Sequence, residues 1–203
     1  MRYCNIVEED CANGEGFRTT LFVSGCNFHC KDCFNQDAQD FNYGKEYTEE
    51  TEEYILEQVS KPHIKGLSLL GGDPLWQDMD GLKQLRQLVQ KVHDLDKTVW
   101  IWSGFTWEEL LKKGTLNDRM ADEEWEICSW DIQRLLLVCE CDVFVDGLFE
   151  YDKKDLSLAW RGSRNQRVID IDKTMDYFSC FLWNFYSFHP KRQESETVHL
   201  TSD

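Results

Sequence analysis

The sequence predicts an α/β protein built on a parallel sheet or partial (β/α) barrel. Three observations carry this: short apolar or β-branched runs recur along the chain, amphipathic segments stand between them, and the chemically active residue types fall just after the runs. Residues 19–23 (TTLFV) read as a buried strand that runs straight into a cysteine-rich loop. From Thr48, TEETEEYILEQVS has an N-cap, acidic residues in its first turn, and Ile55 and Val59 on one face, so it reads as a helix. Residues 66–70 (GLSLL) form a second strand ending in Gly71, Gly72, Asp73 and Pro74, and the helix after it aligns Leu82, Leu85, Val89 and Val92. A third strand, residues 98–102 (TVWIW), turns through Ser103, Gly104 and Phe105 into WEELLKK, with Thr106 and Glu109 as a capping box and Gly114 as the stop. Residues 118–130 are acidic and fit no element cleanly, whereas 131–137 read as helix. Residues 141–145 (CDVFV) form a fourth strand ending in Asp146-Gly147, and 166–171 (QRVIDI) a fifth; the chain before residue 19 shows no regular pattern. In such a sheet the functional groups sit on the loops that follow the strands.

Composition narrows the chemistry. The chain has 203 residues, enough for one domain with a substantial core. Its 38 acidic residues against 22 Lys and Arg give a net charge of -16, which argues against a nucleic-acid partner, whose phosphates need clustered cations. The longest apolar stretch, residues 135–145, is broken by Glu140 and Asp142 and falls far short of the roughly 20 residues that span a bilayer. The start, MRYCNIVEED, has no basic segment followed by an apolar run, so a cytoplasmic location is expected. Nine cysteines in a reducing compartment read as metal ligands, reactive thiols or small buried residues rather than disulfides.

Residues 24–36 read SGCNFHCKDCFNQ. With this many cysteines, a C-x3-C-x2-C spacing is expected by chance only about 0.02 times. Structural zinc sites bring four ligands, whereas three thiolates on one loop suit three irons of a 4Fe-4S cluster and leave the fourth iron open. An open iron can chelate a substrate, and the chemistry that uses it binds S-adenosylmethionine and reduces it to a carbon radical. Zinc with a distant fourth ligand, or inert core thiols, are the alternative readings of the same spacing.

These residues do not stand alone. Together with residues 13–18 (NGEGFR), LFVSGC, CFN, GGDPL, WSGFTWEEL, DVFVDGLF and WRGSRNQRVID, the motif resembles the activating protein of the anaerobic, class III ribonucleoside-triphosphate reductase, within the radical S-adenosylmethionine superfamily. The resemblance covers residues 1 to about 172. It implies a parallel-sheet partial (β/α) barrel of the radical S-adenosylmethionine type over 1–172, with an aromatic-rich extension, 173–203, packed on the same domain. It implies that Cys26, Cys30 and Cys33 hold a 4Fe-4S cluster, that S-adenosylmethionine is reductively cleaved there, and that a glycyl radical is made on the reductase large subunit, with a reduced flavodoxin-like protein as electron donor. A different glycyl-radical enzyme or a small molecule as target is the alternative within enzymes. Outside enzymes, the alternatives are an iron-sulfur electron carrier or a zinc-stabilised binding module.

The other candidate residues each carry a plain reading beside the functional one. Gly71 and Gly72 let backbone approach the methionyl end of the cofactor, and Asp73 either adds a negative charge near its ammonium or caps the helix that follows; the Gly-Gly-Asp-Pro run is also strong turn chemistry. The position before the third cysteine, often aromatic in the superfamily, is Asp32 here, which leaves Phe34 as the expected adenine contact. Ser103 and Asp146 end strands facing the expected site, and Arg161 and Arg164 are candidates for the cofactor carboxylate or a partner contact. His29 reads as an ordinary loop residue, and the six remaining cysteines as packing residues rather than a second metal site. The run YFSCFLWNFYSF, residues 177–188, reads as cover for a sheet edge or as a face for the reductase.

Overall fold

The computed structural model describes residues 1–114 and 122–177, and the side chains of residues 1–112 and 130–175. The strands are β1 Arg2–Asp10, β2 Phe17–Val23, β3 Lys45–Glu46, β4 Ile64–Gly71, β5 Thr98–Ser103, β6 Val143–Asp146 and β7 Arg167–Asp170. The helices are α1 Glu49–Ser60, α2 Met79–Asp94, α3 Trp107–Gly114, α4 Asp122–Cys139 and α5 Ile171–Tyr177. Together the strands form one sheet in the order β3-β1-β2-β4-β5-β6-β7. Its middle four, β2, β4, β5 and β6, are mutually parallel, as expected of strands separated by helical crossovers.

Both edges depart from the expected all-parallel sheet. β7 runs antiparallel to β6, with Phe144 opposite Ile169. The connection between them, residues 147–166, contains no crossover helix, so the chain can return only in the opposite direction. The chain start, expected to be irregular, is the nine-residue β1, antiparallel to β2 with Ile6 opposite Leu21. Its side chains are mostly half-buried and it ends in Glu8, Glu9 and Asp10, which hides the alternation that marks a strand with one dry face. The architecture is therefore mixed α/β. Two boundaries also move: the fourth strand starts at Val143, leaving Cys139 on a helix and Cys141 in the turn, and the acidic segment from Asp122 onward is helical. Residues 178–203, which hold nearly all of the aromatic extension, lie outside the described residues. No helix among the described residues is long and apolar enough to cross a membrane.

The period of two along the parallel strands divides the sheet into two faces. Leu21, Val23, Leu67, Leu69, Val99, Ile101 and Phe144 meet the buried sides of the helices, including Ile55, Val59, Leu82, Leu85, Val89 and Val92, in one core cluster. Capping holds the helix starts in place: Thr48 with Thr51 at α1, and Thr106 with Glu109 ahead of α3, where the Thr106 N–H donates to Glu109 Oε2 at 2.8 Å. The other face is polar at its base and aromatic above. Arg18, 1% exposed, donates to Ser68 Oγ at 2.8 Å, Thr98 Oγ1 at 3.0 Å, and the carbonyls of Leu67 and Thr98 at 2.8 Å each, with its guanidinium 5.5 Å from the Trp100 ring. Burial lowers its pKa to about 9. Arg18→Leu would leave Ser68 Oγ and the Leu67 carbonyl without their donor in the interior, with the two Thr98 oxygens nearer the surface, and is expected to cost about 2–4 kcal/mol of stability in a urea melt. A cost under 1 kcal/mol would mean that water reaches this face.

Candidate functional site

At the C-terminal ends of β2, β4 and β5 lies a cavity of about 480 Å³. All three clustered cysteines line it. β2 ends at Val23, and the loop that follows is closed on itself: the Gly25 N–H donates to the Ala38 carbonyl at 2.7 Å and the Cys26 N–H to the Gln39 carbonyl at 3.1 Å. Within the loop His29 and Asp32 sit at φ of 50° and 54°, tight turns that bring Cys30 and Cys33 back toward Cys26. Each sulfur meets backbone N–H groups. Phe28 N–H donates to Cys26 Sγ at 3.5 Å and Asn35 N–H to Cys33 Sγ at 3.4 Å, while the backbone of Phe149, from the far end of the sheet, bonds Cys30. Burial first, then the charge of Asp73, pushes the Cys26 thiol up to about 12, and burial also raises Cys30. Binding iron at these thiols therefore has to displace protons.

The Gly-Gly-Asp-Pro loop is bonded directly to the thiol loop. Gly72 N–H donates to the Val23 carbonyl at 2.7 Å, and Asp73 N–H to the Gly25 carbonyl at 2.9 Å. The two glycines let this loop pack directly against the backbone of the thiol loop. Gly71 has φ of 115°, and a Cβ on it would stand 2.5 Å from the Val23 carbonyl oxygen; a Cβ on Gly72 would stand 2.6 Å from the carbonyl oxygens of Ala38 and Gly25. Asp73 is buried, caps the short 3-10 helix Pro74–Trp76 through Leu75 N–H at 2.8 Å, and accepts from Ser103 Oγ and Gly104 N–H at 2.8 Å each. Its pKa is raised to about 6 by burial, against which those three donors act. The N-cap role and the cavity role coincide in one carboxylate, which joins the ends of β4 and β5.

The remaining candidates separate. Phe34 lines the cavity, half-covered by Phe149 at 5.2 Å between ring centroids and by Lys154, whose ammonium lies 4.8 Å from the Phe34 ring. Ser103 and Gly104 line it too, with the Ser103 hydroxyl given to Asp73. Asp146 does not: it is buried, accepts from Trp107 N–H at 2.9 Å and from the Arg167 guanidinium, and Gly147 takes the place on the cavity wall. Arg161 lines the cavity and donates from Nη1 to the Gln166 carbonyl at 3.2 Å, while its buried Nε has no hydrogen-bond partner among the described residues. Arg164 is turned to Asp155 at 2.9 Å. His29 is exposed, 3.3 Å from Gln39 Oε1. Sequence reasoning missed Trp102, Phe149, Trp160 and Gln166 on the cavity wall. Trp102 was accessible from alternation, since it shares a strand face with Trp100; the others are placed by a long loop whose path no local pattern specifies.

The donor set fits a 4Fe-4S cluster. Three thiols on the wall of one cavity suit a cluster in which each thiolate meets its own iron. N–H groups at all three sulfurs stabilise the charge such a cluster carries. No other cysteine among the described residues lines the cavity.

Residues 12–169 match a family model described as a 4Fe-4S single cluster domain. The chain is 41% identical over 172 residues to the anaerobic ribonucleoside-triphosphate reductase-activating protein of Pasteurella multocida (strain Pm70), covering 83% of this chain and 96% of that protein. It is 34% identical to the protein of the same name from Escherichia coli (strain K12), over 83% of this chain and 97% of that one. To the one from Enterobacteria phage T4 it is 32% identical over 169 residues, 83% of this chain and 93% of that one.

Proposed function

The chain belongs to the family of anaerobic ribonucleoside-triphosphate reductase-activating proteins, and from that premise we propose that it is the radical S-adenosylmethionine enzyme that makes the glycyl radical on an anaerobic reductase, with residues 1–172 as the activating domain. The observation that carries the reading is three thiols and a Gly-Gly-Asp-Pro loop on the wall of one cavity that extends well beyond them. When bound, a reduced 4Fe-4S cluster held by Cys26, Cys30 and Cys33 supplies the electron that cleaves S-adenosylmethionine to methionine and a 5′-deoxyadenosyl radical. The protein's own part is binding, orientation and exclusion of water. Gly71 and Gly72 present backbone to the methionyl ammonium, Asp73 fixes that loop against Ser103 and Gly104, and Phe34 offers its ring to the adenine. Trp102, Phe149 and Trp160 keep the far wall apolar, which protects a radical too reactive to meet solvent. This division of labour follows the partial-barrel logic in which strand-end loops carry the chemistry. The electron donor expected is a reduced flavodoxin-like protein, in a cytoplasm that keeps thiols free.

Arg161 completes the cofactor site in this reading, its guanidinium serving the methionyl carboxylate. Arg161→Gln is expected to weaken S-adenosylmethionine binding about tenfold, with Arg161→Lys between it and the wild type and with iron content unchanged. Equal affinity in all three would remove Arg161 from the site. The experiment that tests the function is anaerobic electron paramagnetic resonance of the reconstituted, dithionite-reduced protein before and after S-adenosylmethionine, with 5′-deoxyadenosine followed by chromatography. A reduced-cluster signal that changes on addition, with cleavage, supports the reading. A signal indifferent to the cofactor turns it toward an electron carrier.

A further inference from the structure

The connection from β6 to β7 is a built hairpin, and its tip projects at the mouth of the cavity. Lys154 pairs with Ser163 in an isolated antiparallel bridge; Asp155 N–H donates to the Gly162 carbonyl at 3.1 Å and Arg164 N–H to the Lys153 carbonyl at 2.9 Å. The Asp155 carboxylate closes the turn by accepting from Ser157 Oγ at 2.6 Å, Ser157 N–H at 3.0 Å and Arg164 Nε at 2.9 Å. Those bonds, the Ser157 hydroxyl first, hold its pKa down to about 2. With the folded value depressed, the turn is favoured above the ordinary carboxylate pKa and loosens only as pH falls through about 2, so it is intact near neutrality. The hairpin also leans on the thiol loop through Phe149 against Phe34 and through Tyr151, whose ring centroid lies 5.4 Å from the Lys31 ammonium.

Its tip residue Leu156 is 82% exposed while lining the cavity. Leu148 and Tyr151 add two more exposed apolar side chains on the same loop. Exposed apolar residues scattered singly need no explanation; three on one loop, with the tip residue on the wall of a reactive cavity, on a chain of net charge -16, form a patch that does. Several charged groups of this loop are engaged within the chain: Lys153 with Glu150 at 2.7 Å, Arg164 with Asp155, and Lys31 and Lys154 over aromatic rings. That leaves the apolar side chains as the larger part of what the tip offers a partner.

Building on the activating function proposed above, we infer that the hairpin tip, through Leu156 and the exposed rim around it, is the docking element for the glycine-bearing segment of the reductase. Glycine has no side chain to recognise, so an enzyme that takes a hydrogen from its α-carbon must grip the residues on either side. The mouth of the cavity is the place where that grip has to act, and an extended segment with apolar residues flanking the glycine matches what it presents.

Leu156→Asp tests this, with Leu156→Met as the conservative partner. The position is exposed, so neither change should alter the fold, the iron content, or cleavage of S-adenosylmethionine by dithionite-reduced protein alone. The Asp variant is expected to bind the reductase about tenfold or more weakly, read by sedimentation velocity of the mixed proteins, because a carboxylate is forced into an apolar contact without a partner. Its yield of the glycyl-radical doublet should fall in step, and the Met variant should follow the wild type in both. Unchanged affinity in Leu156→Asp overturns the docking role, and so does cleavage lost together with affinity, which would make the tip part of the cofactor site. The wild type is read first: cofactor cleavage with no doublet on the reductase would overturn the activating function itself, and the docking role with it.

Discussion

Replacing Cys33 by alanine is expected to leave a folded chain with no stable 4Fe-4S cluster and no cleavage of S-adenosylmethionine above background, a loss of about a thousandfold or more. Cys33 is the informative choice because it is partly exposed, whereas Cys26 is buried and its removal would mix ligand loss with packing loss. The Asn35 N–H that points at Cys33 Sγ would lose its acceptor at the surface, where water replaces it at small cost. Cys141→Ala is the matching control. Its thiol is 2% exposed and donates to the Leu137 carbonyl at 3.2 Å beneath the sheet, away from the cavity. That variant should lose about 1–2 kcal/mol of stability while keeping full iron content. Iron and sulfide per chain, the visible absorption of the cluster and a thermal melt separate the cases. A Cys33→Ala protein that retains a full cluster would show that the three thiols are not its ligands.

Asp73→Ala is expected to have the second-largest effect, and on stability and chemistry together. The carboxylate accepts from Leu75 N–H, Ser103 Oγ and Gly104 N–H inside the protein, and alanine would leave three donors without an acceptor at the junction of β4, β5 and the thiol loop. Each buried unpaired donor costs about 1–3 kcal/mol, so a loss of about 3–5 kcal/mol follows once some relaxation is allowed. Two opposing contributions set the net result at neutral pH. Burial raises the Asp73 pKa to about 6, so the folded state holds its proton more tightly than the unfolded chain does, and stability from this group falls as pH rises from about 4 to about 6. The structural loss on truncation should therefore be largest near pH 4, where the wild type carries no ionisation penalty, and smaller at pH 8. Asp73→Asn keeps one oxygen for Ser103 and Gly104 but turns its amide N–H toward Leu75 N–H, so it should fall between alanine and the wild type. Because the loop carrying Gly71 and Gly72 is positioned by this carboxylate, S-adenosylmethionine cleavage should drop about a hundredfold in Asp73→Ala even where the protein is fully folded. Cleavage within a few-fold of the wild type would mean that the loop holds its shape without Asp73.

Much of this was legible in the chain because the signals are local. The thiol spacing, the capping residues Thr48, Thr106 and Glu109, and the helical period of Leu82, Leu85, Val89 and Val92 each depend on residues within a few turns of one another. The strand-end loops that hold the cysteines and Gly-Gly-Asp-Pro were correct for the same reason. What escaped depends on distant partners. β1 is recognisable only against β2, because its half-exposed side chains lack a dry face of their own. β7 was expected as a strand, but its direction is decided by a loop that folds back instead of crossing over. Asp146 carried the same ambiguity: a strand-end Asp-Gly fits both a ligand contact and a turn, and here the carboxylate is taken by Arg167, 21 residues on, which also pairs with Glu108. Asp73 resolves differently. Its cap on Leu75 is the local role that a turn-forming Asp suggests, while its bond to Ser103, 30 residues away, is a long-range contact that no local pattern specifies.

In the proposed reaction a hydrogen moves from a glycine of the reductase to a radical formed in this chain's own cavity. Its most direct test uses an anaerobic reductase carrying glycine deuterated at the α-carbon, mixed anaerobically with the reconstituted protein, S-adenosylmethionine and reductant. A glycyl-radical signal on the reductase is expected together with deuterium in the 5′-deoxyadenosine released, and neither with Cys33→Ala. 5′-Deoxyadenosine formed without deuterium, and with no radical on the reductase, would contradict it.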